Sequence, residues 1–97
     1  MRLINNLQLE FTQIIIRTNS LLNKRQIEEL RRRVWIEEIK DTCEYSYRVE
    51  VNYVKCGCLI MESGEWIKTK ESYDELNEVL EKYYKANIER NDKTNNN

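Results

Sequence analysis

Histidine is absent from this 97-residue chain. Its absence removes the commonest proton carrier near neutral pH and the commonest metal ligand, and with them every catalytic triad built on Ser–His or Cys–His. Proline is also absent and only two glycines occur, so no glycine-rich loop stands beside a carboxylate pair to cradle phosphate. No apolar run approaches the roughly 18 residues of a membrane-spanning helix. The first residues, Met1-Arg2-Leu3-Ile4-Asn5-Asn6, hold no apolar signal-peptide core. Together with an odd count of three cysteines, this points to a reducing, cytoplasmic setting. An excess of one charge is lacking too: 16 Lys+Arg stand against 17 Asp+Glu, so no overall field steers the chain to nucleic acid or an anionic membrane.

What is present is the composition of one folded domain, 40% hydrophobic and 34% charged. That domain is expected over residues 1–90. The run Asn91-Asp92-Lys93-Thr94-Asn95-Asn96-Asn97 offers no apolar side chain to bury and is expected to form a disordered polar tail.

Leu7, Leu9 and Phe11 alternate with polar residues and lead into Ile14-Ile15-Ile16. Helical spacing fits this segment as well, and the β-branched run tilts residues 7–16 toward a strand. Asn23 with Gln26 has capping-box character, and Ile27, Leu30 and Val34 follow as one stripe, which predicts a helix over residues 23–40. Tyr45, Tyr47, Val49, Val51 and Tyr53 recur with period 2, predicting a half-buried strand, with a turn or bulge at Gly57 before a short strand Cys58–Met61. Glu62-Ser63-Gly64-Glu65 carries hairpin chemistry leading to a third strand at Trp66-Ile67-Lys68. Ser72 with Glu75 forms a second capping box, opening a helix from Tyr73 to Ile88 with Leu76, Val79, Leu80 and Tyr83 on one face. The expected fold is α+β: a three-stranded antiparallel meander with two flanking helices, preceded by the N-terminal element. Residues 7–16 carry too much apolar surface to leave in water, so they either cap this sheet or form a symmetric dimer contact.

Arg31-Arg32-Arg33, preceded by Lys24 and Arg25, is the densest motif, since guanidinium clusters bind phosphate bidentately. On a helix those three side chains fan apart and meet Glu28, Glu29 and Glu37 at ion-pairing spacing, which reads as a solvated face. Residues 21–40 carry a net +2 and residues 71–90 a net −3, so the two expected helices attract each other or a partner's copy. The Cys56-Gly57-Cys58 spacing lacks a zinc knuckle, and no histidine completes the set with Cys43. On one strand Cys56 and Cys58 point the same way with β-carbons roughly 7 Å apart, beyond disulfide reach. Buried, reduced thiols are expected, with no metal and no cofactor.

Two local resemblances exist. Trp66-Ile67-Lys68-Thr69-Lys70-Glu71-Ser72 resembles the strand-to-helix junction of the three-stranded DNA-binding domains of phage-type integrases, with Glu50 and Asn52 where that family presents cations. The expected helix, three strands, helix order over residues 23–89 is similar to a double-stranded-RNA-binding domain. Its phosphate-binding loop and lysines are missing, and Ser72-Tyr73-Asp74-Glu75 places acids there instead.

With no catalytic set and balanced charge, the chain reads as a small non-enzymatic regulatory or inhibitory protein that binds another protein. Trp35, Trp66, Arg31, Arg32 and Arg33 are its candidate contacts. The alternative is a nucleic-acid-binding module using Arg31, Arg32, Arg33, Arg48, Lys68 and Lys70. An alphabet rich in Asn, Ile, Lys, Glu and Tyr without Pro suits the AT-rich genome of a phage, virus or mobile element, which a host-defence inhibitor or regulator would fit.

Overall fold

A computed structural model describes residues 1–19, 21 and 24–95. It contains six strands and one α-helix: β1 (Arg2–Ile4), β2 (Gln8–Asn19), β3 (Lys24–Trp35), a 3-10 turn (Ile36–Glu38), β4 (Ile39–Val49), β5 (Asn52–Met61), β6 (Trp66–Lys68) and α1 (Tyr73–Asn95). The strands form two antiparallel sheets, ordered β1-β2-β3 and β4-β5-β6. A bridge between Gln13 and Thr69 joins them, and the Lys70 amide donates to the Thr12 carbonyl at 2.8 Å.

The strand expected over residues 7–16 is β2, Gln8–Asn19, with Leu7 left exposed in the turn before it, and it docks within the chain: β2 pairs with β1 through Gln8–Glu10 on one edge and with β3 along its whole length on the other. The expected helix over 23–40 is overturned. Lys24–Trp35 is a strand in unbroken register with β2, from Gln8 opposite Trp35 to Asn19 opposite Lys24. Asn23 of the expected cap lies outside the described residues. The reason is the demand of β2: Leu9, Phe11 and Ile14 draw it into the interior, and its backbone must then find hydrogen-bond partners, which β3 supplies along one whole edge. A helix at 23–40 would leave one edge bare. Ile27 and Leu30 of the supposed stripe remain 37% and 48% exposed, and only Val34, at 7%, reaches the core. The fold therefore has one helix, not two flanking a single meander. The resemblance to a double-stranded-RNA-binding order goes with the first helix.

The strands β4, β5 and β6 do form a meander, with different joints. The Tyr45–Tyr53 alternation is two strands: Val49 pairs with Asn52 across a turn at Glu50-Val51, where Glu50 takes φ 56°. Gly57 is no turn but lies inside β5. A Cβ there would collide with Leu76 Cδ1 and come 2.9 Å from the Glu71 carbonyl oxygen, so glycine is what lets α1 lie against the sheet. The Met61–Trp66 hairpin is as expected, with Gly64 at φ 92°. So is the start of α1, where the Glu75 amide donates to Ser72 Oγ at 3.1 Å. The helix continues past Ile88 to Asn95, and Asn96 and Asn97 lie outside the described residues.

Period-2 alternation divides the interior into two clusters. Leu9 and Phe11 of β2 share one core with Ile36, Leu59 and Ile67 under Leu76 and Leu80 of α1. Ile14, with Ile16 beside it, turns the other way to meet Tyr45, Tyr47, Val49 and Cys56 on the opposite face of β4–β5. The linked sheets thus curl until the two long hairpins face each other, and β3 is left at an edge, with β2 as its only sheet neighbour among the described residues.

Candidate functional site

The outer end of β3 collects most of the residues singled out above. In the β2–β3 register, Arg31, Arg33 and Trp35 stand opposite Thr12, Glu10 and Gln8, and so occupy one face. Asn5 and Asn6, both at positive φ, turn the chain after β1 and lay Arg2 opposite Glu10 from the other side. Asparagine tolerates this conformation better than most residues. The Glu10 carboxylate therefore accepts from Arg33 Nε at 2.9 Å and from an Arg31 terminal guanidinium nitrogen at 3.2 Å, with Arg2 Nε at 3.3 Å. Three cations share one carboxylate. The hydrogen bond from Arg33, helped by the charges of Arg2 and Arg31, holds the Glu10 carboxyl below its ordinary range against the opposing effect of burial. The guanidiniums remain largely exposed while Glu10 is only 8% exposed.

Arg32 points to the other face. Its two terminal nitrogens meet both oxygens of Glu65 at 2.9 Å, and one also meets Gln13 at 3.3 Å. This fork ties β3 to the start of β6 and lowers the Glu65 carboxyl from its ordinary value. Helical spacing had paired the arginines with Glu28, Glu29 and Glu37; the strand gives Glu28 to Arg17 at 3.4 Å and Glu29 to Lys70 at 3.1 Å. Trp35 closes the β3 row and is 45% exposed; Trp66, 60% exposed, opens β6 opposite Ile60 in the other sheet. The two tryptophans belong to different sheets and are not neighbours in register.

The wider basic set is dispersed. Arg48 donates to the Glu50 carbonyl at the β4–β5 turn, Lys68 lies 4.6 Å over the Tyr45 ring, and Lys70 is engaged with Glu29. Arg2 and Glu10 were missed as site residues. The available signal was Glu10, the one acidic side chain inside an otherwise apolar and neutral strand segment.

The three cysteines are free thiols on one face of β4–β5, with Cys43 directly opposite Cys58 and Cys56 opposite Tyr45. Burial pushes the Cys58 thiol up to about 12, with Cys43 and Cys56 adding to the shift and Lys68 opposing it. Burial raises Cys56 as well, again against Lys68. Among the described residues no group of three or more His, Cys, Asp or Glu side chains is placed to hold a metal ion, and no helix is long and apolar enough to cross a membrane. Comparison with protein-family models, curated proteins and solved structures gives no match.

Proposed function

We propose that the chain is a small non-enzymatic regulatory protein that binds another protein at the open edge of β3, and that the bound segment is extended and acidic. One observation carries the reading: among the described residues a twelve-residue strand is paired by β2 on one side only, and Arg31, Arg33 and Trp35 form a row at its C-terminal end. A free strand edge offers regularly spaced amide and carbonyl groups, which a second extended chain can pair. Charge supplies the selectivity. Glu28 and Glu29 are neutralised by Arg17 and Lys70, whereas Arg2, Arg31 and Arg33 share only Glu10, leaving a local surplus of two positive charges. Trp35 adds a large amphipathic surface of the kind that anchors interfaces.

The test is amide hydrogen exchange on the isotope-labelled chain with a short peptide alternating Glu and Val. A Lys/Val peptide and duplex DNA serve as comparisons. Protection confined to β3 and produced by the acidic peptide alone is the expected result, and Arg31→Glu with Arg33→Glu should weaken binding about tenfold or more. Absence of protection on β3 with the acidic peptide overturns the reading. A DNA complex that weakens steeply with salt and is lost in the same double variant assigns the surface to nucleic acid instead.

A further inference from the structure

The thiol face of β4–β5 contains one pair suited to bond and one thiol that is not. Directly opposed residues of an antiparallel pair have α-carbons about 4.5–5.5 Å apart. That lies inside the roughly 4.4–6.8 Å range of disulfides. Cys43 and Cys58 are opposed in this way, on one face of the β4–β5 pair. Cys56 is diagonal to Cys43, a separation of about 7–8 Å. It is two residues from Cys58 along the same strand, a similar distance. Access is equally uneven: Cys43 is half-buried, while Cys58 and Cys56 are buried.

We propose that Cys43 and Cys58 form a cross-strand disulfide when the protein meets a low-molecular-weight disulfide such as oxidised glutathione, and that Cys56 remains a thiol. The half-buried Cys43 reacts first. Its thiolate attacks one sulfur of the oxidant, the oxidant's S–S bond breaks, and one glutathione leaves as thiolate and takes up the proton that Cys43 released. Cys58 then gives its proton to solvent, and its thiolate attacks Cys43 Sγ and expels the second glutathione, which is protonated in turn. Two protein thiols are oxidised and one glutathione disulfide is reduced to two thiols.

The second step is the slow one, because burial keeps Cys58 protonated. Two effects ease it. The mixed disulfide removes the Cys43 thiol that helps raise Cys58, and Lys68, opposite Cys58 on β6, favours the thiolate. The same burial protects the product. A small thiol attacking Cys43 must expel Cys58 as a disfavoured thiolate, and direct attack on Cys58 is blocked by the packing around it.

The full chain, fully reduced and then incubated with oxidised glutathione at mildly alkaline pH, is analysed by intact mass and non-reducing peptide mapping. The expected product is a single chain about 2 Da lighter than the dithiol, with Asp41–Arg48 linked to Cys56–Lys68 and fragmentation placing the bond on Cys58. Cys56→Ser should give the same product at least as fast, and Cys58→Ala should gain one glutathione and stop. A wild-type chain that stops at glutathionylated Cys43, a Cys43–Cys56 bond, or a bond between two chains each overturns the proposal.

Discussion

The hairpins β2–β3 and β4–β5 have nearly equal lengths and hold together by different means. In β2–β3 an apolar strand lies against a charged one: Phe11 is opposite Arg32, Ile15 opposite Glu28, and Glu10 opposite Arg33. In β4–β5 the facing pairs include Cys43 with Cys58, Thr42 with Leu59 and Tyr47 with Val54, beside Ser46 with Lys55 and Arg48 with Tyr53 nearer the turn. Part of that hairpin is covered on both faces, by α1 on one and by Ile14 on the other. The first hairpin therefore places most of its burial on β2 and leaves β3 largely exposed, whereas in the second the burial is shared, at Ile39 and Tyr47 of β4 and along Cys56–Met61 of β5. A strand can be long and well paired yet carry little of the core, and such a strand is free to carry charge.

The sharpest way to break this comparison is to place one charge on each side of the first hairpin. Phe11→Asp buries an unpaired carboxylate in the main core and should cost more than about 4 kcal/mol, leaving no cooperative unfolding transition. Leu30→Asp, on β3, should change stability by no more than about 0.5 kcal/mol. Equal losses in urea melts would contradict the division between buried β2 and surface β3.

Next in size is Gly57→Ala, which probes the second hairpin where α1 rests on it. The added carbon collides with Leu76 and with the Glu71 backbone, so the helix must shift, at about 1–3 kcal/mol. A melting temperature equal to wild type would show that α1 is not held against Gly57.

The pH dependence separates the two regions by sign. Glu10 and Glu65, held below 4.5 by their arginines, contribute stability that is complete above that value and is lost as pH falls through their folded values. Cys58 and Cys56, raised by burial from 9.0, contribute stability that is complete below 9.0 and is lost as pH rises, toward about 12 for Cys58. Urea unfolding followed from about pH 3 to about pH 11 should decline at both ends. Glu10→Gln should flatten the acid limb alone and Cys58→Val the alkaline limb alone. A variant that changes the opposite limb would sever the link between that limb and its hairpin.

The smallest effect is expected from Arg32→Ala. Its fork to Glu65 is partly exposed on both sides, and such pairs contribute about 0.2–1 kcal/mol. Chemical denaturation should show a loss in that range, and a larger one would mean that the β3 edge is more deeply tied to the second sheet than its charges imply.

Where local chemistry was decisive, the sequence was legible. The isoleucine run marked β2, Glu62-Ser63-Gly64-Glu65 marked a hairpin, and Ser72 with Glu75 marked the start of α1. Each depends on residues within a few positions of one another. Trp35 and the three arginines are adjacent in sequence, but the strand divides them, with Arg31, Arg33 and Trp35 on one face and Arg32 on the other. The partners of Arg31 and Arg33 were not found, because Glu10 lies more than twenty residues away and becomes their neighbour only through the β2–β3 register.

Sequence alone thus determined that the segment from Leu9 to Ile14 had to be buried, where one turn and one helix begin, and that no histidine chemistry is available. Tertiary structure decided the state of residues 24–35. Their glutamates, leucine and arginines suit a helix by local preference, but a buried β2 needs a hydrogen-bonding neighbour along its length, and that demand outweighs propensities worth only a fraction of a kcal/mol per residue. The same pairing brought Arg31 and Arg33 to one carboxylate, and the pairing of β4 with β5 set Cys43 against Cys58. Both juxtapositions follow from which strands lie side by side, a relation between distant segments that no local pattern contains.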